Sequence, residues 1–140
     1  NLDFYEGQPI DRNPFYGFKQ LVEVAIKALS PGINDPSTAV LSLQALASLL
    51  LYRLQHPAAV IIADQNEHPW IYQKQYSFSE LFYHCIQPIW NYGKKDQYIQ
   101  DALLALLQQL KYVCGNKRDL VTVEDIIRQV EVERNLRSAP

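Results

Sequence analysis

Apolar side chains recur every three to four positions in five stretches of the chain, and this spacing predicts five amphipathic α-helices. The predicted helices run from Pro14 to about Leu29, from Pro36 to about Leu54, from Ser77 to Gly93, from Asp96 to Gly115-Asn116, and onward from Thr122. Most of the connections between them are short. The pattern therefore predicts an all-α fold, a compact bundle of about five helices.

Two apolar stripes run along the second predicted helix. One stripe consists of Val40, Leu43, Ala47, Leu50 and Leu54, and the other consists of Leu41, Ala45, Leu49 and Tyr52. A helix that is apolar around most of its circumference is buried on several sides or faces a second protein. We therefore predict that this helix is central to the bundle and carries surplus apolar surface.

The segment after His56-Pro57 departs from the helical period. A β-branched run from Ala58 to Ala63 is followed by the polar residues 64–67 and by the aromatic-rich residues 69–75. This order predicts a short β-like insertion, a small hairpin, between helices two and three. An ordered excursion without strands is the alternative.

The chain of 140 residues is long enough for one domain with its own core. We expect residues 1–12 to be an entry segment that continues from a missing upstream region. Residues 13–136 are expected to form a single helical domain, and residues 137–140 a frayed tail. The sequence contains no Met, which leads us to expect a piece of a longer protein.

The corner between the first two helices carries the densest set of backbone signals. Pro31 disfavours helical geometry at Ser30, so the first helix should end there. Gly32 suits the positive φ that a C-terminal cap often needs. Asp35 can cap the second helix, and Pro36 suits its first position. These residues predict a sharp helix–turn–helix corner.

The same corner is the candidate ligand-binding site. Its polar side chains are those of Ser30, Asn34, Asp35, Ser37 and Thr38. The positive end of the second helix would favour an anion or a carbonyl group, although the charge of Asp35 already occupies that end. The alternative is that these side chains serve only the turn and the cap.

Charge and motif content argue against several function classes. The net charge of −2 and the scattered basic residues do not indicate nucleic-acid binding. His56, His68 and His84 lack metal-ligand spacing, and no nucleophile motif or phosphate loop is present. We therefore predict no catalytic residue, no metal and no cofactor, and the sequence does not indicate an enzyme. Cys85 and Cys114 are expected to be reduced and apolar in a reducing compartment, with a disulfide between them left open.

Aromatic residues are dense around the third helix. They are Trp70, Tyr72, Tyr76, Phe78, Phe82, Tyr83, Trp90 and Tyr92. Core packing explains such a cluster, and a contact with a protein or a membrane surface is the alternative.

The segment Asp11–Ala39, above all the runs Phe15–Ala25 and Ala28–Pro36, resembles the soluble C-terminal portion of the predicted bacterial membrane proteins of the domain-of-unknown-function 2254 family. The resemblance is looser over residues 81–92 and 96–110. It implies no catalytic role for any residue. It does imply a parent protein in the bacterial inner membrane, a cytoplasmic position for this part, and a membrane-embedded segment of the parent chain as a neighbour.

Two functions remain as expectations. The first is a soluble accessory, regulatory or oligomerisation domain of a predicted membrane protein, with a second copy of the chain as a candidate partner. The alternative is a small-ligand or ion-sensing domain that uses the Ser30–Thr38 corner.

Overall fold

The computed structural model of the chain describes residues 14–56 and 76–138. The described residues form five α-helices: α1 Pro14–Leu29, α2 Pro36–Gln55, α3 Phe78–Gly93, α4 Gln97–Val113 and α5 Lys117–Ser138. These residues contain no strand, and the all-α prediction is confirmed. The β-like insertion predicted within residues 58–75 and the entry segment 1–12 lie outside the described residues.

The helices alternate in direction. Phe15 at the start of α1 packs edge to face on Tyr76 just before α3, with 5.1 Å between the ring centroids. Ser79 at the start of α3 donates a 2.8 Å hydrogen bond to Asp119 at the start of α5. Because these three starts lie together, α1, α3 and α5 run in one direction. The short turns after α1 and α3 send α2 and α4 in the opposite direction.

The core lies among all five helices, and α2 contacts three of them. It packs between α1 and α4 and also touches α3, while α3 and α4 both pack on α5. The fully buried large side chains include Leu43, Leu46 and Leu50 of α2, Phe82, Ile86 and Ile89 of α3, and Leu103, Leu107 and Leu110 of α4. Each such side chain contributes about 1.5–3 kcal/mol of transfer free energy before conformational entropy is subtracted.

Predicted cap residues begin three of the helices. The Asp35 carboxylate accepts the backbone N–H three residues later at 3.2 Å, and Asp96 does the same at 3.1 Å. Ser77 and Glu80 form a capping box, in which the Ser77 N–H donates to the Glu80 carboxylate at 2.9 Å and the Glu80 N–H donates to the Ser77 hydroxyl at 3.2 Å. These bonds satisfy backbone donors that the helix itself leaves free.

The predicted start of the fifth helix is wrong, because α5 begins at Lys117 rather than after Thr122. The Asn116 side chain accepts the N–H of Asp119 at 2.9 Å, so the helix begins directly after the turn that ends α4. Thr122 lies one turn inside the helix. Leu136, near the end of α5, is exposed.

Gly93, predicted as the end of the third helix, has a packing role. It is the last residue of α3, it is buried, and its backbone is not left-handed. A Cβ at this position would lie 2.6 Å from Ile99 Cγ2 and 3.2 Å from Leu29 Cδ1. Only a residue without a side chain therefore lets α3 approach α1 and α4 this closely.

α2 is long enough and apolar enough to cross a membrane. No other helix in the described ranges meets both conditions. In the bundle α2 buries one side, consisting of Ala39, Val40, Ser42, Leu43, Leu46, Ala47 and Leu50. Core helices of globular domains have the same length and composition. The contacts of α2 with α1, α3 and α4 fit that second explanation on its buried side, and only 39% of its apolar stretch is buried.

Candidate functional site

The α1–α2 corner is held by hydrogen bonds within the corner itself. The N–H of Asn34 donates to the Ser30 carbonyl at 2.9 Å, and the N–H of Asp35 donates to the Ala28 carbonyl at 2.7 Å. The Ser30 hydroxyl donates to the Lys27 carbonyl at 2.7 Å. These bonds satisfy the carbonyl groups at the end of α1, which otherwise have no partner in the helix.

Asn34, rather than Gly32, takes the left-handed conformation in this corner. Its φ is 49°, and Gly32 has no positive φ, so the predicted role of Gly32 is wrong. Asn is one of the few residues with a Cβ that enter this region at low cost. The adjacent Asn34 and Asp35 therefore have separate tasks: the first turns the chain and the second caps α2.

The Asp35 carboxylate is already engaged by Thr38. One oxygen accepts the Thr38 N–H at 3.2 Å, and the other accepts the Thr38 hydroxyl at 2.5 Å. The hydrogen bond from the Thr38 hydroxyl, followed by the one from its N–H, lowers the pKa of Asp35 below its ordinary value. The carboxylate is thus ionised and tied to the first turn of α2.

The structure divides the five predicted site residues into two groups. Ser30, Asp35 and Thr38 are held in local hydrogen bonds, as the cap and turn alternative expects. Asn34 and Ser37 lie at the exposed surface. Ligand binding at the corner stays a prediction.

A polar network between α3 and α5 was not predicted from the sequence. Asp119 is buried and accepts the Ser79 hydroxyl at 2.8 Å and the Asn116 amide at 2.6 Å. The Thr122 hydroxyl lies 3.1 Å from the Ser79 hydroxyl. Every carboxylate oxygen of Asp119 therefore has a donor, which a buried charge requires. The network joins the starts of two parallel helices and has the character of a structural clamp.

Among the described residues, the cysteines, His56 and His84 show no arrangement for chemistry, and His68 lies outside those residues. Burial raises the pKa of the Cys85 thiol to about 12, and burial followed by the charge of Asp119 raises that of Cys114. The Glu80 carboxylate serves the capping box, while the His84 ring lies edge-on to that of Tyr83. Within residues 14–56 and 76–138, no three His, Cys, Asp or Glu side chains are placed to hold a metal ion.

The aromatic cluster around α3 is divided between core and surface. Phe78, Phe82 and Trp90 are buried, whereas Tyr83 and Tyr92 are exposed. Core packing is confirmed for the first three residues. Trp70 and Tyr72 lie outside the described residues.

The second stripe predicted on α2 lies at the surface of the bundle. Leu41 is 66% exposed and Tyr52 is 62% exposed, with Leu49 also exposed between them. On the adjoining surface of α4, Tyr112 is 93% exposed. We call this surface the α2–α4 face and define it by Leu41, Ala45, Ser48, Leu49, Tyr52 and Gln55 of α2 and Ala105, Gln108, Gln109 and Tyr112 of α4.

The α2–α4 face carries no charged residue. The sequence has no charge from Pro36 to Tyr52 or from Ala102 to Leu110. The two charged residues of α4 form ion pairs with α5. Asp101 pairs with Arg134 at 3.1 Å, and Lys111 pairs with Glu124 at 2.8 Å.

Arg53 of α2, which borders the face, is also held by hydrogen bonds within the bundle. It donates to the carbonyls of His56 and Tyr76 at 3.1 Å each. The nearest charges are thus held away from an apolar and amide-rich surface.

A groove opens on this face between the C-terminal parts of α2 and α4. It has a volume of about 680 Å³. Its walls are Leu51 and Gln55 of α2 and Ala105, Gln108, Gln109, Tyr112 and Val113 of α4. The sequence contained the signal for the α2 side of the face, namely the second stripe. The groove itself depends on the packing of α2 beside α4, which the sequence did not predict.

Comparison with known proteins places the chain in a family. The family model described as "Predicted membrane protein (DUF2254)" matches residues 2–109. Uncharacterized protein Mb1321c of Mycobacterium bovis is 26% identical over 117 residues, which cover 82% of this chain and 22% of that protein. Uncharacterized proteins MT1328 and Rv1290c of Mycobacterium tuberculosis match with the same identity and coverage.

The chain thus spans 22% of the length of these curated relatives. No solved structure matches it. The resemblance stated from the first two helices is confirmed by a match that covers most of the chain. The chain belongs to the DUF2254 family of predicted membrane proteins.

Proposed function

We propose that this chain is a non-catalytic accessory domain of its parent membrane protein, soluble and cytoplasmic, which self-associates through the α2–α4 face. The observation that carries the proposal is the exposed, charge-free surface formed by Leu41, Tyr52 and Tyr112 with their neighbours. The free thiols of Cys85 and Cys114 support a reducing compartment.

The composition of the face favours a protein over a lipid surface as its occupant. The cores of protein interfaces are enriched in aromatic side chains and depleted of charge, as this face is. Binding at the surface of an anionic membrane requires Lys or Arg beside the apolar side chains. The nearest cations, Arg53 and Lys111, are instead committed to bonds within the bundle.

A second copy of the chain fits this surface electrostatically. In a two-fold dimer the same patch meets itself, so a charge close to the two-fold axis is brought near an identical charge. Like charges placed together cost several kcal/mol, and the α2–α4 face contains none. The outer side of α5 lacks this property, because it exposes Asp125, Arg128 and Glu131.

The size of the face predicts weak, reversible association. The stretch Leu41–Gln55 is about 21 Å long, and two helices packed 8–10 Å apart are about 20 Å wide. This outline of about 400 Å² is small beside the roughly 800 Å² that each partner buries in a standard interface. We expect a dissociation constant in the micromolar range or above.

Sedimentation velocity of the 140-residue chain, from about 1 µM to about 1 mM, tests the proposal across the affinities that such a contact would have. The wild-type sedimentation coefficient should rise with concentration. Tyr112→Lys should shift the transition to at least tenfold higher concentration, because the new charge meets the second copy. Val132→Lys is the matched control, since Val132 is exposed on α5, and it should leave the transition unchanged.

Circular dichroism confirms that both variants fold. A chain that remains monomeric at the highest concentration contradicts the proposal. So does an equal effect of the two variants.

A further inference from the structure

The groove on the α2–α4 face is a shallow, open depression, which a convex group fits better than a flat one. It lies near the C-terminal ends of α2 and α4, with Leu51, Ala105 and Tyr112 as its apolar walls and Gln55 and Gln109 as its amide groups. A concave apolar surface that meets another concave surface leaves a void, and the atoms lining that void lose their contacts. The groove is therefore best filled by a protruding apolar side chain.

Leu41 is such a side chain. It is 66% exposed and lies near the N-terminal end of the same helix. It precedes Leu51 by ten residues and Gln55 by fourteen, which corresponds to about 15–21 Å along α2. Ala45 and Ser48 lie between the groove and Leu41 on the same side, and their small side chains permit a second helix to approach closely.

Two kinds of two-fold dimer can form through α2. In a parallel pair, Leu41 meets Leu41 and each groove faces the other groove. In an antiparallel pair centred near Ser48, Leu41 of each copy lies over the groove of the other copy, and the contact is made twice by symmetry. The antiparallel pair fills both grooves and also opposes the dipoles of the two α2 helices.

We propose that two copies of this chain pair through antiparallel α2 helices, with Leu41 of each copy inserted in the α2–α4 groove of the other. This inference rests on the proposed self-association and specifies its geometry. The two-fold axis passes close to Ser48. Leu41 and Gln109 of different copies come into contact, while the two Leu41 side chains lie far apart.

Disulfide trapping tests the geometry, because a disulfide requires Cα atoms about 4.4–6.8 Å apart. Single variants Ser48→Cys, Leu41→Cys and Gln109→Cys are prepared with Cys114→Ser, and the buried Cys85 is retained. Under mild oxidation, Ser48→Cys should form covalent dimers at least tenfold faster than Leu41→Cys. An equimolar mixture of the Leu41→Cys and Gln109→Cys chains should yield mainly the mixed dimer, which mass spectrometry identifies.

A separate variant tests the contribution of Leu41. Leu41→Ala should weaken dimerisation by about 5–30-fold for each of the two symmetric contacts, or about 25–900-fold in all, from the apolar area that the leucine exposes in the monomer. Ile33→Ala is the matched control, because Ile33 is 55% exposed at the α1–α2 corner and outside the face. It should leave dimerisation unchanged.

The outcomes separate this inference from the proposed function. If Leu41→Cys chains link to one another as fast as Ser48→Cys chains, the pair is parallel and the inference is overturned while self-association stands. A monomer at all concentrations overturns both. If the Gln109→Cys thiol of the monomer is protected from maleimide, the groove is already covered within one copy, which also overturns the inference.

Discussion

Gly93→Ala is expected to destabilise the bundle, although alanine is the better helix former. The added Cβ would lie 2.6 Å from Ile99 Cγ2 and 3.2 Å from Leu29 Cδ1. Ile99 is fully buried, and its β-branched side chain has one strongly preferred rotamer in a helix, so it has little freedom to move aside. Overpacking of this kind costs about 1–3 kcal/mol.

The gain in helix propensity offsets part of this cost. Replacing Gly by Ala inside a helix stabilises it by up to about 1 kcal/mol, and by less at the last helical residue. The net loss for Gly93→Ala is then about 1–2 kcal/mol. For a domain of this size the melting temperature should fall by about 3–10 °C.

Urea and thermal unfolding followed by far-ultraviolet circular dichroism measure the change. Gly17→Ala in α1 is the matched control, because a Cβ there would have no atom within 4 Å. That variant should gain up to about 1 kcal/mol, so the two substitutions should have opposite signs. If Gly93→Ala is as stable as the wild type or more stable, the close approach of α3 to α4 is not rigid and the reasoning fails.

Three further predictions concern the corner and the polar network. Asn34→Ala should lose about 1 kcal/mol in urea unfolding because of its positive φ, whereas Gly32→Ala should be close to neutral. Asp119→Ala should lose about 1–3 kcal/mol in the same assay, since it leaves the Ser79 hydroxyl without its acceptor. The lowered pKa of Asp35 means that its ionisation stabilises the fold above the unfolded-state pKa, near 3.8. This contribution is lost as the pH falls through the folded-state pKa, so the stability difference between wild type and Asp35→Asn should shrink from about pH 5 toward about pH 2 in a series of unfolding curves.

Features that depend on neighbouring residues could be predicted from the sequence. The caps at Asp35, Ser77 and Asp96 require only a side-chain acceptor and an N–H three residues later. The bounds of α1 were predicted for the same reason, because Pro14 and the Ser30-Pro31 pair act within one turn. The second stripe of α2 followed from helical spacing alone.

Features that depend on the packing of distant elements could not be predicted. Ser79 and Asp119 are 40 residues apart, and nothing in either local pattern indicates that they meet. The role of Gly93 depends on how closely α3 lies to Ile99, which no periodicity encodes. The groove also could not be predicted, because its two walls belong to α2 and α4, which α3 separates in the sequence.

The start of α5 was missed for a different reason. Two overlapping signals compete there, since Asn116 and Thr122 each resemble a cap. The upstream signal prevails because its side chain reaches the Asp119 N–H, and the helix then continues through Thr122. Similarly, Gly32 and Asn34 both tolerate a left-handed turn, and the sequence of the corner does not decide between them.

The odd number of alternating helices has a consequence for attachment. Pro14 and Ser138 lie at opposite poles of the bundle, separated by roughly the length of α5, which begins at the same pole as α1, about 33 Å. The α2–α4 face is on the flank and extends, at Gln55 and Tyr112, to the pole at which α1 begins. Two copies paired along that flank would leave the end of α5 unobstructed in each copy, so that each copy can be tethered there without disturbing its contact with the other.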